Sequence, residues 1–420
     1  MNVIISPSRP IGQIDAISSK SAAHRALICA AFADAETKIK CERTNRDIEA
    51  TVECLVALGA RIEYSTPYFT VYPVTKATES AKLCCGESGS TMRFLLPIVS
   101  ALGVKASFIM EGRLPERPLS PLYEELCAHG AKLSPCGTNP FVCDGKLQGN
   151  EFSIRGDVSS QFISGLMFAS TLMGGGIKIN IIGKTESLPY IDMTRDMLEQ
   201  FGVRVEKRDF GYEIPEKCRL VSPREVSIEG DWSNAAFPLC MGAMGGDVTV
   251  CGIDPDSRQG DKHIIDILKK FGATVTNTGR TYVARKETEL CSIDLDASDI
   301  PDLVPVIAAV ASVSKGQTRI FGASRLKIKE SDRLEAITRA LTSLGADIAK
   351  TDDGLIINGK PHLCGGSVNA FNDHRIAMSA AVAAVCCRSD VTVVGAECVA
   401  KSYPDFWSEI ESLGVKITKE

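Results

Sequence analysis

The chain has 420 residues, a hydrophobic fraction of 44%, a charged fraction of 24% and a formal net charge of −5 at pH 7. That length suits two domains of ordinary globular composition. The slight acidity provides no global basic field for nucleic acid, although a local basic cleft remains compatible with it, and the longest apolar stretch, 376–387, is too short to span a bilayer.

Residues 1–9 lack the charged start and apolar core of a secretion signal. Sixteen cysteines form no C-x-x-C pair and no Cys/His cluster at zinc spacing, so no metal is expected. Cys29, Cys54, Cys240 and Cys386 lie in apolar helical stretches and read as buried, reduced thiols, which suits a cytoplasmic protein. Neither a P-loop nor a dinucleotide fingerprint occurs, and no cofactor is implied.

In chain order, the first marked segment is Ser18-Ser19-Lys20-Ser21, leading through His24 and Arg25 into an Ala/Leu-rich helix that ends near Ala33. Serines at a helix start offer hydroxyls and backbone N–H groups to an anion. The sequence places Lys20 just before that start and Arg25 about one turn in, as an anion site or as a capped helix with solvated charges. A phrase of helix, glycine and strand then appears at Leu55–Ile62 around Gly59. It returns around Gly130, Gly202, Gly272, Gly345 and Gly414, at separations of 71, 72, 70, 73 and 69 residues. Ile48, Val52, Leu55 and Leu58 carry helical spacing, and Ala60, Ile62 and Tyr64 carry strand spacing. Glycine just past a helix end takes the left-handed conformation without strain. Six units of about 70 residues therefore fill the chain and divide naturally into three plus three.

Between these phrases lie small-residue and cationic segments. Cys85–Arg93 brings Gly89 and Ser90 before Arg93, small enough for backbone amides to approach a charged ligand. Glu111–Pro118 holds Arg113 and Arg117 among prolines, either rigid guanidinium groups for an anion or a surface loop. Asp157–Ser164 supplies Ser159, Ser160 and Gln161, which could equally cap the helix that follows. Ser298–Asp302 presents Asp302. Lys327–Leu334 places Lys329 and Glu330 in a loop and Arg333 in the first helical turn, where a cation opposes the helix dipole. Either a bound anion or a nearby Asp accounts for that. Asn372–Met378 contributes His374 and Arg375, with a buried Asp–Arg pair as the alternative reading, and Ala400–Asp405 contributes Lys401. Cations from both halves suggest one cleft holding polyanions. Asp302, Glu330 and His374 beside them favour an enzyme over a binding module.

These phrases together resemble the 3-phosphoshikimate 1-carboxyvinyltransferase (EPSP synthase) family. S-K-S-A-A-H-R-A-L, G-E-S-G-S-T-M-R, L-P-E-R-P-L, V-S-S-Q-F, L-P-Y-I-D, K-E-S-D-R, N-D-H-R-I-A-M and A-K-S-Y-P-D-F lie in the family's order within residues 18–406. The resemblance implies an inverted α/β fold of two similar domains, each of three β/α units with sheets outside and an active-site cleft between them. It places repeats 1–3 in 19–228, mainly on the shikimate 3-phosphate side. Repeats 4–6 fall in 1–18 with 229–420, bringing catalytic acids and phosphoenolpyruvate-binding cations. The chain would cross near residues 12–19 and 226–231.

The implied reaction moves the enolpyruvyl group of phosphoenolpyruvate to the 5-hydroxyl of shikimate 3-phosphate. Its implied catalytic residues are Asp302, Glu330, Lys20, His374 and Lys401. Shikimate 3-phosphate would meet Lys20, Ser21, Arg25, Ser159, Ser160, Gln161, Ser187, Tyr190, Asp302 and Lys329. Phosphoenolpyruvate would meet Lys20, Gly89, Arg93, Arg117, Gln161, Arg333, Arg375 and Lys401. The expected partners are those two small molecules, with no nucleic acid and no membrane, and the protein is expected to be a monomer.

Three positions depart from the family pattern. Glu87 replaces a usual Asn, Ser90 a common Thr, and Arg325 an Asn that in some members contacts the sugar-like ring. A sister transferase acting on UDP-N-acetylglucosamine typically carries a reactive cysteine in the loop matching 111–121, and this loop has none. A non-catalytic anion-binding protein on the same fold would have no need of the two acids.

Overall fold

The repeated glycines all adopt the left-handed conformation that a helix end demands: φ is +111° at Gly59, +101° at Gly130, +81° at Gly202, +96° at Gly272, +87° at Gly345 and +85° at Gly414. A computed structural model describes residues 1–420. They form two units, Ser18–Ile228 and Met1–Ile17 with Glu229–Glu420. Ser18 therefore goes with the unit that follows it, one residue earlier than the sequence suggests, and its hydroxyl accepts from the Glu42 N–H.

Each unit contains three four-stranded sheets, and all six share one topology. In the second repeat, Ser80–Gly86 pairs parallel with Lys105–Met110. Ala131–Leu133 follows the repeat glycine, and Phe141–Gly145 returns as a hairpin to sit antiparallel between it and Lys105–Met110. Three sheets borrow a strand from far along the chain. Ile11–Asp15 runs parallel beside Asp247–Cys251. Glu225–Ser227 runs parallel beside Thr37–Lys40. Asn2–Ser6 inserts between Val391–Val394 and Lys416–Lys419, antiparallel to both.

The helices are of two kinds. Lys20–Ala31, Gly89–Leu102, Ser160–Leu172, Trp232–Gly245, Val304–Ala311 and His374–Ala384 are buried on nearly every face. Arg46–Ala57, Leu188–Gln200, Ile264–Phe271 and Arg333–Ser343 bury one stripe and leave a polar face. A helix hydrophobic all round has no side face for chemistry, so polar groups gather at its start. Ser19, Ser88, Ser159, Asp231 and Asp373 occupy five of these starts as side-chain N-caps. The sixth buried helix is preceded by a 3-10 turn, Pro301–Leu303, that carries Asp302.

All sixteen cysteines are free thiols; Cys29, Cys54 and Cys240 are buried as the sequence predicts, whereas Cys386 is only half-buried. No helix is long and apolar enough to cross a membrane.

Close packing joins Gly89–Leu102 to Ser160–Leu172. Pro97 lies inside the former and has no N–H for the Arg93 carbonyl, one turn earlier. Gly165 fills that gap: a Cβ there would lie 2.5 Å from the Arg93 oxygen and 3.1 Å from Pro97 Cγ. Gly165→Ala is expected to force the two helices apart and destabilise the protein by about 1–3 kcal/mol, read from urea denaturation. An unchanged midpoint would show that the contact is slack.

Candidate functional site

In the Ser18–Ile228 unit, Lys20 is the first residue of its helix, not the residue before it, because Ser19 is the cap. Its ammonium reaches Asp47 Oδ2 at 2.8 Å. Arg25 is 3% exposed and meets only neutral oxygens: Nε donates to Thr194 Oγ1 at 2.8 Å, Nη1 to the Ser21 carbonyl at 2.6 Å and Nη2 to the Tyr190 carbonyl at 2.8 Å. Burial pushes its pKa down to about 10, so it stays charged at neutral pH. A buried cation among neutral partners is costly, and an anionic ligand would compensate it.

Arg93 Nη1 donates to Gln161 Oε1 at 3.0 Å, and Gln161 Nε2 donates to Ser90 Oγ at 2.9 Å. These bonds fix the start of Gly89–Leu102 against that of Ser160–Leu172. A Cβ on Gly89 would lie 2.8 Å from Nη1 of both Arg93 and Arg117, so glycine lets two guanidinium groups close over the first turn. Arg113, by contrast, faces outward to Glu116 at 3.5 Å. Glu87 folds onto the backbone of Gly112, where a Cβ would meet its Cδ at 2.6 Å. Ser159 caps its helix by accepting from the Gln161 N–H, and Ser160 is the first helical residue. Ser187, with φ +53°, precedes Leu188–Gln200, the helix that carries Tyr190 and Thr194.

In the other unit, Arg333 is 1% exposed and bound to three carboxylates. Nη1 reaches Asp302 Oδ1 at 2.7 Å, Nη2 reaches Glu330 Oε2 at 2.8 Å and Nε reaches Asp373 Oδ2 at 2.8 Å. These carboxylates outweigh the helix dipole and explain a cation at a helix start. Lys329 lies 3.6 Å from Asp302, Arg375 Nη2 3.4 Å from Asp302 Oδ2, and Lys401 3.8 Å from Glu330 Oε1. Arg333, Arg375, Lys329 and Lys401 thus face Asp302, Glu330 and Asp373, four cations against three anions. The surplus positive charge suits an anionic ligand. His374 is buried beside Asp373 at 3.9 Å, and Arg325 Nη2 donates to the Ser298 carbonyl at 2.7 Å.

Burial alone would raise the Asp302 pKa, but Arg375, Lys329 and Arg333 overcome it and hold the carboxyl well below the usual range. Asp261 goes the other way. Burial and the charges of Asp302 and Asp231 push it up to about 7, against the pull of Arg375 and the Ser233 hydroxyl.

Sequence reasoning missed several of these partners. Asp373 takes Arg333 as its ion-pair partner, and with Arg375 it makes the capping bond, Oδ1 accepting from the backbone N–H at 3.0 Å. Asp47 and Thr194 carry no motif of their own. Asp47 was legible only as an acid in a first helical turn.

Asp373→Ala would leave Arg333 buried without one of its three carboxylates, and about 3–5 kcal/mol of stability should be lost in denaturant titrations. Asp261 predicts a pH slope. The folded protein keeps a proton that the unfolded chain releases above about pH 4, so stability falls as pH rises towards about 7, by up to about 4 kcal/mol. Asp261→Asn is expected to flatten that decline between pH 5 and 7.5; an unaltered slope would contradict the assignment.

Known proteins match along nearly the whole chain. The family described as EPSP synthase (3-phosphoshikimate 1-carboxyvinyltransferase) matches residues 6–410. A protein from Clostridium kluyveri named 3-phosphoshikimate 1-carboxyvinyltransferase is 42% identical over 417 residues, covering 99% of this chain and 98% of its own. One of the same name from Methanocorpusculum labreanum is 38% identical over 427 residues, with both chains fully covered. A solved structure of EPSP synthase from Acinetobacter baumannii superposes with a TM-score of 0.82 at 26% identity over the full length of both chains.

Proposed function

The chain belongs to the EPSP synthase family, and we propose that it transfers the enolpyruvyl group of phosphoenolpyruvate to the 5-hydroxyl of shikimate 3-phosphate, releasing phosphate. The observation that carries the residue roles is Asp302, ionised among Arg375, Lys329 and Arg333, with a second carboxylate, Glu330, on the same guanidinium. Two acids on one buried cation supply a base and an acid for addition and elimination.

Asp302 takes the proton of the 5-hydroxyl. Held far below its usual range, it is a weak base in the free protein. Anionic substrates that draw on Arg375 and Lys329 loosen their hold on Asp302 and raise its proton affinity when it is needed. Glu330, an anion in the free cluster, takes up a proton from solvent as phosphoenolpyruvate brings negative charge beside it. It delivers that proton to the methylene carbon, oriented by Arg333 and Lys401. As the tetrahedral intermediate collapses, Glu330 takes a proton back from the methyl group and Asp302 gives its proton to the leaving phosphate. His374 supports this set from beside Asp373.

Shikimate 3-phosphate is proposed to engage Arg25, Ser21, Ser159, Ser160, Gln161, Ser187 and Tyr190, with Lys329 and Asp302 at its ring. The lack of any carboxylate on Arg25 supports a phosphate there. Phosphoenolpyruvate engages Gly89, Arg93, Arg117, Gln161, Arg375 and Lys401, and Lys20 serves both ligands. Arg333 joins the phosphoenolpyruvate set by releasing one of its carboxylates. The Ser18–Ile228 unit thus works mainly on shikimate 3-phosphate, and the other contributes the acids. A monomer acting in the cytoplasm is the proposed working form. Family membership disfavours UDP-N-acetylglucosamine as acceptor, and the paired acids disfavour a role limited to binding.

Phosphate should be released from phosphoenolpyruvate with shikimate 3-phosphate and not with UDP-N-acetylglucosamine; the reverse pattern rejects the proposal. Asp302→Asn is expected to lower kcat by 10²–10⁴-fold while calorimetry still detects shikimate 3-phosphate binding. Arg375→Ala should weaken phosphoenolpyruvate binding far more than shikimate 3-phosphate binding, and equal losses in titrations would remove it from that role.

A further inference from the structure

Beneath the first turns of two candidate helices runs a buried chain of hydrogen bonds that no catalytic step above uses. His24 Nδ1 lies 2.7 Å from Thr51 Oγ1, and Thr51 Oγ1 lies 2.6 Å from Thr91 Oγ1. Thr91 Oγ1 donates to Ser88 Oγ at 2.7 Å, and the Thr91 N–H also donates to Ser88 Oγ, at 3.3 Å. His24, Thr51 and Thr91 are fully buried and Ser88 is 1% exposed. The chain ties Lys20–Ala31 through Arg46–Ala57 to Gly89–Leu102.

Each hydroxyl has one hydrogen to give, so the direction of one bond sets all the others. Thr91 gives its hydrogen to Ser88 and must therefore accept from Thr51. Thr51 has then spent its hydrogen and must accept from His24. That puts the ring proton on Nδ1 and leaves Nε2 a bare lone pair. Nε2 is buried and has no hydrogen-bond partner. With the opposite tautomer it would be a buried N–H without an acceptor, a rarer and costlier situation than an idle lone pair. The ring is neutral. Burial, opposed by Asp47 and reinforced by Lys20 and Arg25, drives its pKa down to about 3.

We infer that His24, with its proton on Nδ1, is a positioning residue: it aligns the Thr51–Thr91–Ser88 relay in one direction, so that the Ser88 hydroxyl hydrogen is delivered at the start of Gly89–Leu102 as a donor to phosphoenolpyruvate. This rests on reading that helix start as the phosphoenolpyruvate side. Ser88 is the N-cap next to Gly89, over which the guanidinium groups of Arg93 and Arg117 close. An O–H beside them adds a donor where negative charge would gather. The relay also holds the helix of Lys20 and Arg25 in register with that of Arg93.

Nitrogen NMR of histidine-labelled full-length protein tests the tautomer directly. The chain has only five histidines, and the His24 signals are those lost in His24→Gln. A protonated Nδ1 and an unprotonated Nε2, unchanged from pH 5 to pH 9, are expected; a protonated Nε2, or titration within that range, overturns the inference. Thr51→Val, which removes the acceptor, should shift the Nδ1 signal, and an unmoved signal counts against the relay. In steady-state assays Ser88→Ala is expected to raise the phosphoenolpyruvate KM about tenfold or more with kcat little changed, and Ser88→Thr to restore it. Equal KM values for Ser88→Ala and the parent protein overturn the donor role. The spectra decide the relay whether or not the transfer assigned above is correct.

Discussion

The burial of six helices on nearly every face is the constraint from which the rest follows. Such a helix cannot carry a charged stripe, so its charged residues lie within about two turns of its start, while hydroxyls deeper in, such as Ser100 and Ser170, turn back onto their own helix carbonyls. At the start the unsatisfied N–H groups need caps and favour negative charge. Ser19, Ser88 and Ser159 meet this need in one unit, and Asp231 and Asp373 in the other. Lys20, Arg93, Gln161, Asp302 and Arg375 sit within a turn or so of such starts. The location of chemistry in this fold is therefore a by-product of how its core is filled.

The two units solve the electrostatic problem differently. In the first, Lys20 is held by Asp47, but Arg25 lies against neutral oxygens, and the polypeptide leaves that charge for a ligand to match. In the second, Arg333 is saturated by carboxylates, and the positive surplus lies around it on Lys329, Arg375 and Lys401. One arrangement favours holding an anion. The other favours keeping acids ionised and close together, the condition for moving protons. Asp302 and Asp261 show how finely burial and charge balance. Both are acids beside Arg375, Asp261 fully buried and Asp302 partly so, yet Asp302 is driven down and Asp261 up.

Much of this was legible in the sequence, for definite reasons. A glycine that must be left-handed at each helix end leaves a repeating mark, so repeat number and α/β class could be read without coordinates. Clustered motifs such as Lys327–Leu334 were legible because a cation at a helix start breaks a local rule. What escaped was long-range pairing. Asp47 as the partner of Lys20, and Thr194 beneath Arg25, are separated from their partners by 27 and 169 residues and have no local signature. Ser18 and Ser19 are both capping types, and the first helix starts one residue earlier than the sequence alone indicates. The resemblance placed residues 1–18 with the C-terminal unit, as the fold has it up to Ile17, but the register of Asn2–Ser6 between two late strands had no visible pattern, since pairing partners near opposite ends of a chain share no spacing.

That borrowed strand carries a consequence for biogenesis. The Ser18–Ile228 unit draws every strand from one continuous stretch and can close as soon as that stretch leaves the ribosome. The other unit cannot finish its last sheet until residues 391–419 have been synthesised, because Asn2–Ser6 lies between them. A nascent chain must shelter an unpaired apolar strand, with Val3 and Ile5 destined for the core, for almost the whole of translation. Such separation slows folding and prolongs exposure of a sticky edge, so chaperone demand should fall on that half of the molecule.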